Sequence, residues 1–173
     1  MTVLLEKGDN VKILICSDTH RVNDNFYTVL EQEAPLDLII HCGDAEGTEC
    51  EMEAIAGCEF EVVSGNNDFF TVLPKERVLD IAGNKILVTH GHYYSVSAGY
   101  ERLAEEAASR GCSMAFFGHT HLPYMGEMNG VFLVNPGSLT YPRQFGRIPT
   151  YVIMEVDGKG EVHFTQRSVG GDE

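Results

Sequence analysis

Five short apolar runs in this chain each stop abruptly at side chains that coordinate metals. The run 11–16 ends in Ser17-Asp18-Thr19-His20, and 37–42 ends in Gly43-Asp44. Residues 59–64 lead into Gly65-Asn66-Asn67-Asp68, 85–89 into His90-Gly91-His92, and 113–117 into Gly118-His119-Thr120-His121. Four of the chain's seven histidines fall in the set Asp18, His20, Asp44, Asn66, His90, His119 and His121. Imidazole, carboxylate and carboxamide without thiolate suit Mn²⁺, Fe or Zn²⁺ better than Ca²⁺. Seven donors exceed the needs of one tetrahedral ion and suit two ions sharing a carboxylate. Two cations held roughly 3.5–4 Å apart polarise a phosphoryl group and ionise water between them, which gives a nucleophile in line with phosphorus.

Such a set must be gathered by a scaffold. Apolar runs rich in Ile and Val read as buried strands. In open α/β sheets, ligands collect beyond the carboxyl ends of strands. Phe26, Val29 and Leu30 at helical spacing predict a helix over 24–34, with Asn23 as its N-cap and Pro35 as its stop. A second helix is expected over 48–56, closed by Gly57. Short crossovers of this kind demand that the first three strands run parallel. After residue 76 the rhythm changes. Strands over 77–81 and 85–89 flank the hairpin signal Ala82-Gly83-Asn84. An amphipathic helix is expected over 97–110, with Tyr100, Leu103, Ala104 and Ala107 on one face. Asn129-Gly130 is a type I′ turn signal between 124–128 and 131–134. A last hairpin spans 150–156 and 162–166. The pattern predicts one α/β domain over 1–168, with two packed sheets and helices outside. The tail 169–173 is expected to be disordered.

The chain has 173 residues and a formal net charge of −14. That balance disfavours general nucleic-acid binding, which relies on Lys and Arg clusters. It leaves room for a small phosphorylated substrate, since bound cations invert the local field. The five cysteines form no C-x-x-C pair, so they predict neither a disulfide framework nor a thiolate zinc site. That usage fits a cytoplasmic protein. The apolar run Val3-Leu4-Leu5 is too short for a signal peptide, and no stretch approaches the length of a membrane span.

Other polar residues near the strand ends have competing roles. Asn67 reads either as a turn residue or as a contact to phosphate or to a metal ligand. Asp68 reads as structural, orienting a ligand or the turn backbone. His92 could donate to phosphate, act as the catalytic acid or cap its loop. His41 lies inside an apolar strand and reads as a satisfied core histidine, and His163 as a surface residue. Arg21 and Arg143 have the guanidinium geometry that suits a phosphate oxygen.

Taken in order, Asp18-Thr19-His20, Gly43-Asp44, Gly65-Asn66-Asn67-Asp68, His90-Gly91-His92 and Gly118-His119-Thr120-His121 resemble the five blocks of the calcineurin-like metallophosphoesterase superfamily. The short chain is similar to its small single-domain branch, the YfcE-type phosphodiesterases. The Asn135-Pro136-Gly137-Ser138 loop, followed by Pro142-Arg143, adds to the likeness. The resemblance implies a four-layer αββα sandwich. It implies that Asp18, His20 and His121 hold one divalent metal, that Asn66, His90 and His119 hold the other, and that Asp44 bridges them. Mn²⁺ is the first expectation, with Fe, Zn²⁺ or Ni²⁺ as alternatives. A phosphodiesterase is expected. The alternatives are a phosphomonoesterase, a nuclease disfavoured by the acidic balance, or a metal-binding scaffold like the retromer subunit of the same fold. A homodimer is expected from the same resemblance and from the base rate for soluble proteins. One position departs from the pattern. Many members carry His where Asn67 stands, and that His protonates the leaving oxygen. A carboxamide donates a hydrogen bond but is no general acid near pH 7.

Overall fold

The computed structural model describes residues 2–5, as backbone, and residues 10–171. The parallel unit forms as expected. Strand β1 (Thr2–Leu5) precedes β2 (Val11–Cys16), α1 (Asp24–Glu33), β3 (Leu38–His41), α2 (Glu49–Ala56) and β4 (Glu59–Val62). Strands β2, β3 and β4 pair in parallel. Then come β5 (Glu76–Ile81), β6 (Asn84–Thr89), a single 3₁₀ turn at His92–Tyr94, α3 (Glu101–Ser109), β7 (Met114–Phe116), β8 (Tyr124–Met128), β9 (Val131–Asn135), β10 (Thr150–Val156) and β11 (Val162–Ser168). The hairpins β5–β6, β8–β9 and β10–β11 are antiparallel. Asn129 and Gly130 both take positive φ, 52° and 77°, which is the type I′ geometry.

Two sheets result, ordered β1-β5-β6-β7-β9-β8 and β11-β10-β2-β3-β4. The period-2 alternation of each strand divides its side chains between two interfaces. Ile13 and Ile15 of β2 pack with Ile86 and Val88 of β6 and Phe116 of β7 in the space between the sheets. Leu14 and Cys16 turn the other way, onto Phe26 and Val29 of α1 and Met52 of α2. Leu87, Ala115 and Leu133 meet Leu103, Ala104 and Ala107 of α3 on the far face of the other sheet. Three apolar interfaces separate four layers, the αββα sandwich that the resemblance implied.

Three expectations shift at their edges. Strand β1 was not foreseen. It pairs in parallel with β5, and a four-residue run without alternation gives no periodic signal. Helix α3 begins at Glu101 rather than 97, because Ser95 sits in the left-handed region at φ 55° and residues 95–98 form a turn. Asn23 flanks α1 but makes no side-chain capping bond. At the carboxyl end, Val169 N–H donates to Pro149 O, and Gly171 N–H donates to Ser168 O. Residues 172 and 173 of the expected tail lie outside the described residues. Among the described residues, no helix is long and apolar enough to cross a membrane.

Candidate metal centre

The carboxyl ends of β2, β3, β4, β6 and β7 open onto one edge of the sandwich. The loops there are locked to one another by backbone bonds. Asp18 N–H donates to Gly43 O at 3.0 Å, His20 N–H to Asp44 O at 2.9 Å, and Gly118 N–H to His90 O at 3.2 Å. Each loop must turn sharply to aim its donor inward. Asp18, His20, Asp44, His119 and His121 all have positive φ, between 46° and 69°. Asp and His tolerate this region better than most L-residues, yet it is strained, and such strain gathers at functional sites.

All seven sequence-identified donors converge. His121 Nε2 lies 3.1 Å from Asp18 Oδ1 and 3.2 Å from His20 Nε2. His90 Nε2 lies 3.4 Å from Asp44 Oδ2 and 3.1 Å from Asn66 Oδ1. His119 Nδ1 lies 2.9 Å from the same Asn66 oxygen. Asp44 Oδ2 also sits 3.8 Å from His20 Nε2, and Asp18 Oδ1 sits 3.9 Å from His90 Nε2. Both carboxylates therefore face both clusters. Asp18, His20 and His121 form one group with metal-binding spacing, and Asp18, Asp44 and His90 form a second.

Outer hydrogen bonds set which ring nitrogen points inward. His90 Nδ1 is bonded to Cys42 O at 2.8 Å and His121 Nδ1 to Tyr141 O at 2.7 Å. A carbonyl accepts only, so both rings carry a proton on Nδ1 and turn Nε2 toward the cluster. His20 Nδ1 lies 2.6 Å from Glu46 Oε1, a carboxylate–histidine pair of the kind that orients metal ligands. Sequence reasoning missed Glu46. It lies two residues past Asp44 in an acidic stretch, and nothing local sets it apart.

The electrostatics fit cations. Asp18 Oδ1 is buried and accepts no well-directed hydrogen bond, although imidazole nitrogens surround it. Burial opposes ionisation of Asp18 and Asp44, yet the facing histidines, and for Asp44 also Asn67, hold both carboxyls below the usual range. Burial likewise opposes charge on His90, but Asp18 and Asp44 raise its imidazole to about 9. The pocket thus draws positive charge onto a buried ring. Oxygen and imidazole donors with a deficit of positive charge match divalent transition metals.

Neighbouring residues divide as follows. Asn67 donates twice to Asp44, from its backbone N–H to Oδ1 at 2.8 Å and from Nδ2 to Oδ2 at 2.7 Å. Asp68 accepts from Asp44 N–H at 2.8 Å, Gly65 N–H at 2.6 Å and Glu46 N–H at 2.5 Å, so it holds the turn backbone. His41 is fully buried; it accepts from Gly43 N–H through Nδ1, and its Nε2 meets Thr19 Oγ1 at 3.1 Å. Burial pushes its imidazole down to about 4, so it is a neutral brace between two ligand loops. His92 is half-buried, with its ring centroid 5.4 Å from that of His90 and its Nδ1 without a partner. Burial pushes it to about 4 as well. The 135–138 loop ties the site together. Asn135 Nδ2 donates to Gly118 O and Thr120 Oγ1, and Ser138 Oγ donates to Asp18 O.

A cleft of 290 Å³ opens on the donors, lined by His20, Asp44, Asn66, Asn67, His119 and Arg143 among others. Arg143 reaches it, whereas Arg21 does not. Arg21 Nε donates to Glu46 O, and its side chain lines an adjoining cavity.

Two outcomes follow from this geometry. Glu46→Gln keeps the volume but removes the charge that fixes the His20 ring. It is expected to raise the Mn²⁺ concentration for half-maximal occupancy roughly 10–100-fold, read by calorimetric titration. Gly65 has no room for a methyl group. A Cβ there would stand 2.0 Å from Asp44 Oδ1 and 2.6 Å from Asp44 N. Gly65→Ala is expected to displace Asp44 and abolish tight metal binding while the far-UV circular dichroism of the fold persists.

The comparisons with known proteins agree with this geometry. The family model described as "Calcineurin-like phosphoesterase superfamily domain" matches residues 11–159. A probable metallophosphoesterase, YsnB of Bacillus subtilis, is 34% identical over 148 residues, covering 85% of each chain. The phosphodiesterase MJ0936 of Methanocaldococcus jannaschii is 28% identical over 173 residues, covering 86% of this chain and 95% of its own. The crystal structure of a predicted phosphoesterase from Streptococcus pneumoniae superposes with a TM-score of 0.74 at 25% identity, covering 92% of this chain and 98% of that one. With its fold, its donor set and a family match that spans most of its length, this chain belongs to the calcineurin-like phosphoesterase superfamily.

Proposed function

We propose that the chain is a phosphodiesterase that works with two divalent cations on a small phosphorylated substrate. The observation that carries this reading is the pair of carboxylates, Asp18 and Asp44, each within 4 Å of imidazole nitrogens on both sides. Two buried carboxylates facing imidazoles on both sides suit a pair of cations. Asp18, His20 and His121 would hold one cation, Asn66, His90 and His119 the other, and Asp44 would serve both. When bound, such a pair supplies Lewis acidity toward a phosphoryl oxygen and lowers the pKa of water.

The chain's own residues do the rest. Asn67 fixes both oxygens of Asp44 and keeps a second amide proton that can face the cleft. Arg143 lines the same cleft and offers its guanidinium to a phosphoryl oxygen. His92 stands beside His90 and contributes a ring N–H at most, since its imidazole is neutral near pH 7. With Asn at position 67, no side chain there can protonate a departing alkoxide. Esters whose leaving oxygen departs as an anion are therefore favoured, and diesters with aryl groups fit that requirement.

The test is hydrolysis of bis-p-nitrophenyl phosphate with added Mn²⁺, compared with an alkyl monoester such as glycerol phosphate and with the His119→Ala variant. The diester is expected to be turned over faster than the monoester, and the variant to lose most of that rate. A faster monoester would favour a phosphomonoesterase. Tight binding of metal without turnover of either ester would make the chain a scaffold.

A further inference from the structure

The cavity next to the metal-facing cleft has a different character. It has a volume of 360 Å³ and is lined by Arg21, Glu46, Gly47, Asn67, Phe69 and Phe70. Glu46 and Asn67 line both spaces, so the two adjoin. The Phe69 side chain is 74% exposed, and that of Phe70 is fully exposed. Exposed phenylalanines in tandem are unusual on a protein surface. These two are not carried by a loose loop. Asp68 anchors their segment through three backbone N–H groups, Phe69 N–H donates to Asn67 O, and Ser64 N–H donates to Pro74 O. Phe70 is also held at φ 59°, a left-handed conformation that is costly for a bulky residue. A braced loop thus spends strain to keep an aromatic ring in water beside the metal-facing cleft. Among the described residues, the other exposed large apolar side chains, Ile55 apart, also lie on the loops and turn around this edge.

We propose that this cavity is the subsite for the organic group of the substrate, and that the group is a planar aromatic ring, either a nucleobase or an aryl ester, lying against Phe69 and Phe70. The inference rests on the phosphodiesterase reading and names its substrate class. The guanidinium of Arg21 faces the same space. Its Nε is held by Glu46 O at 2.8 Å, and its terminal nitrogens have no partner among the described residues, so they remain for oxygen atoms on the ring or beside it. Aromatic faces accept any flat ring by stacking and are tolerant of its identity. The acidic chain without a basic tract limits the substrate to one or two such groups rather than a polymer.

The test uses the metal-loaded full chain with phenylphosphonate and methylphosphonate, which cannot be hydrolysed. The chain contains no tryptophan, so F70W places a single emitter in the subsite. Phenylphosphonate is expected to shift that emission at concentrations where methylphosphonate does not. As inhibitors of bis-p-nitrophenyl phosphate hydrolysis, the two should differ roughly tenfold in the wild type, the scale of one stacking contact. That difference should vanish in F69A/F70A. A nucleoside 5′-monophosphate run beside them separates the two sources of the ring. Equal inhibition by both phosphonates in the wild type, or a selectivity that survives in F69A/F70A, overturns the proposal. If the chain turns over no ester, the phosphodiesterase reading fails, and the emission of F70W still decides whether the cavity takes a ring.

Discussion

Asp44→Asn is expected to lower turnover of bis-p-nitrophenyl phosphate by about 10³-fold and to reduce the metal content of carefully reconstituted protein from the proposed two atoms per chain to one or fewer. The magnitude follows from what is lost. Lewis-acid stabilisation by a correctly held cation is worth several kcal/mol, and about 4 kcal/mol is a factor of 10³ in rate. Asp44 is central to that holding. Its Oδ2 faces His20 Nε2 at 3.8 Å and His90 Nε2 at 3.4 Å, while Asn67 pins both of its oxygens. The Asn side chain keeps the size but removes the charge that faces both imidazole clusters. Metal analysis by mass spectrometry and steady-state rates check the two halves separately. Two metals retained at full rate would refute the role assigned to Asp44.

The largest effect on stability is expected far from that edge, at Glu33. This carboxylate, in the last turn of α1, is 2% exposed. It accepts from Tyr151 Oη at 2.6 Å and from Arg167 Nη1 at 2.9 Å to both oxygens, and pairs with Lys12 Nζ at 2.9 Å. It therefore ties α1 to β2, β10 and β11. Removing one member of a buried pair costs about 3–5 kcal/mol. Here Lys12 is 28% and Arg167 40% exposed, and solvent screens what they lose, so Glu33→Ala is expected to cost about 2–3 kcal/mol. For a chain of this size that lowers the melting temperature by roughly 4–12 °C. The pH dependence has a definite sign. Burial disfavours the charge on Glu33, but the bonds from Tyr151, Lys12 and Arg167 outweigh it and depress the carboxyl below 4.5. A group depressed in the folded state stabilises it above the unfolded value and ceases to do so as pH falls through the folded one. The gap in melting temperature between wild type and Glu33→Gln should be full at neutral pH and narrow below about pH 4.5. A gap that widened in acid would reverse the assignment.

Much of this was legible in the residues alone, because the signals are local. A run such as Val11–Cys16 states its own burial, and the polar cluster after it states which strand end it occupies. All seven donors were visible that way, as were the three parallel strands and the three hairpins. The turn at Asn129-Gly130 carries its own geometry. What pairs with what across the chain is not local. His20 and His121 stand 3.2 Å apart across 101 residues. Glu46 meets His20 only because the Asp18 and Asp44 loops are bonded through their backbones. No spacing in the sequence distinguishes Glu46 from the other acids of its stretch, and none separates Arg143, in the cleft, from Arg21, in the cavity beside it. Likewise, periodicity placed Glu33 at the end of a helix but could not reveal that Lys12, Tyr151 and Arg167 surround it. By itself the sequence determined which side chains stand at the strand ends and therefore which chemistry is available. The tertiary structure decided which nitrogen of each ring faces inward, which acid steadies which base, and which exposed aromatic side chains border the cleft. The reason is that side-chain type and strand period are written residue by residue, whereas orientation is fixed by hydrogen bonds between loops that only the packed sheets bring within reach.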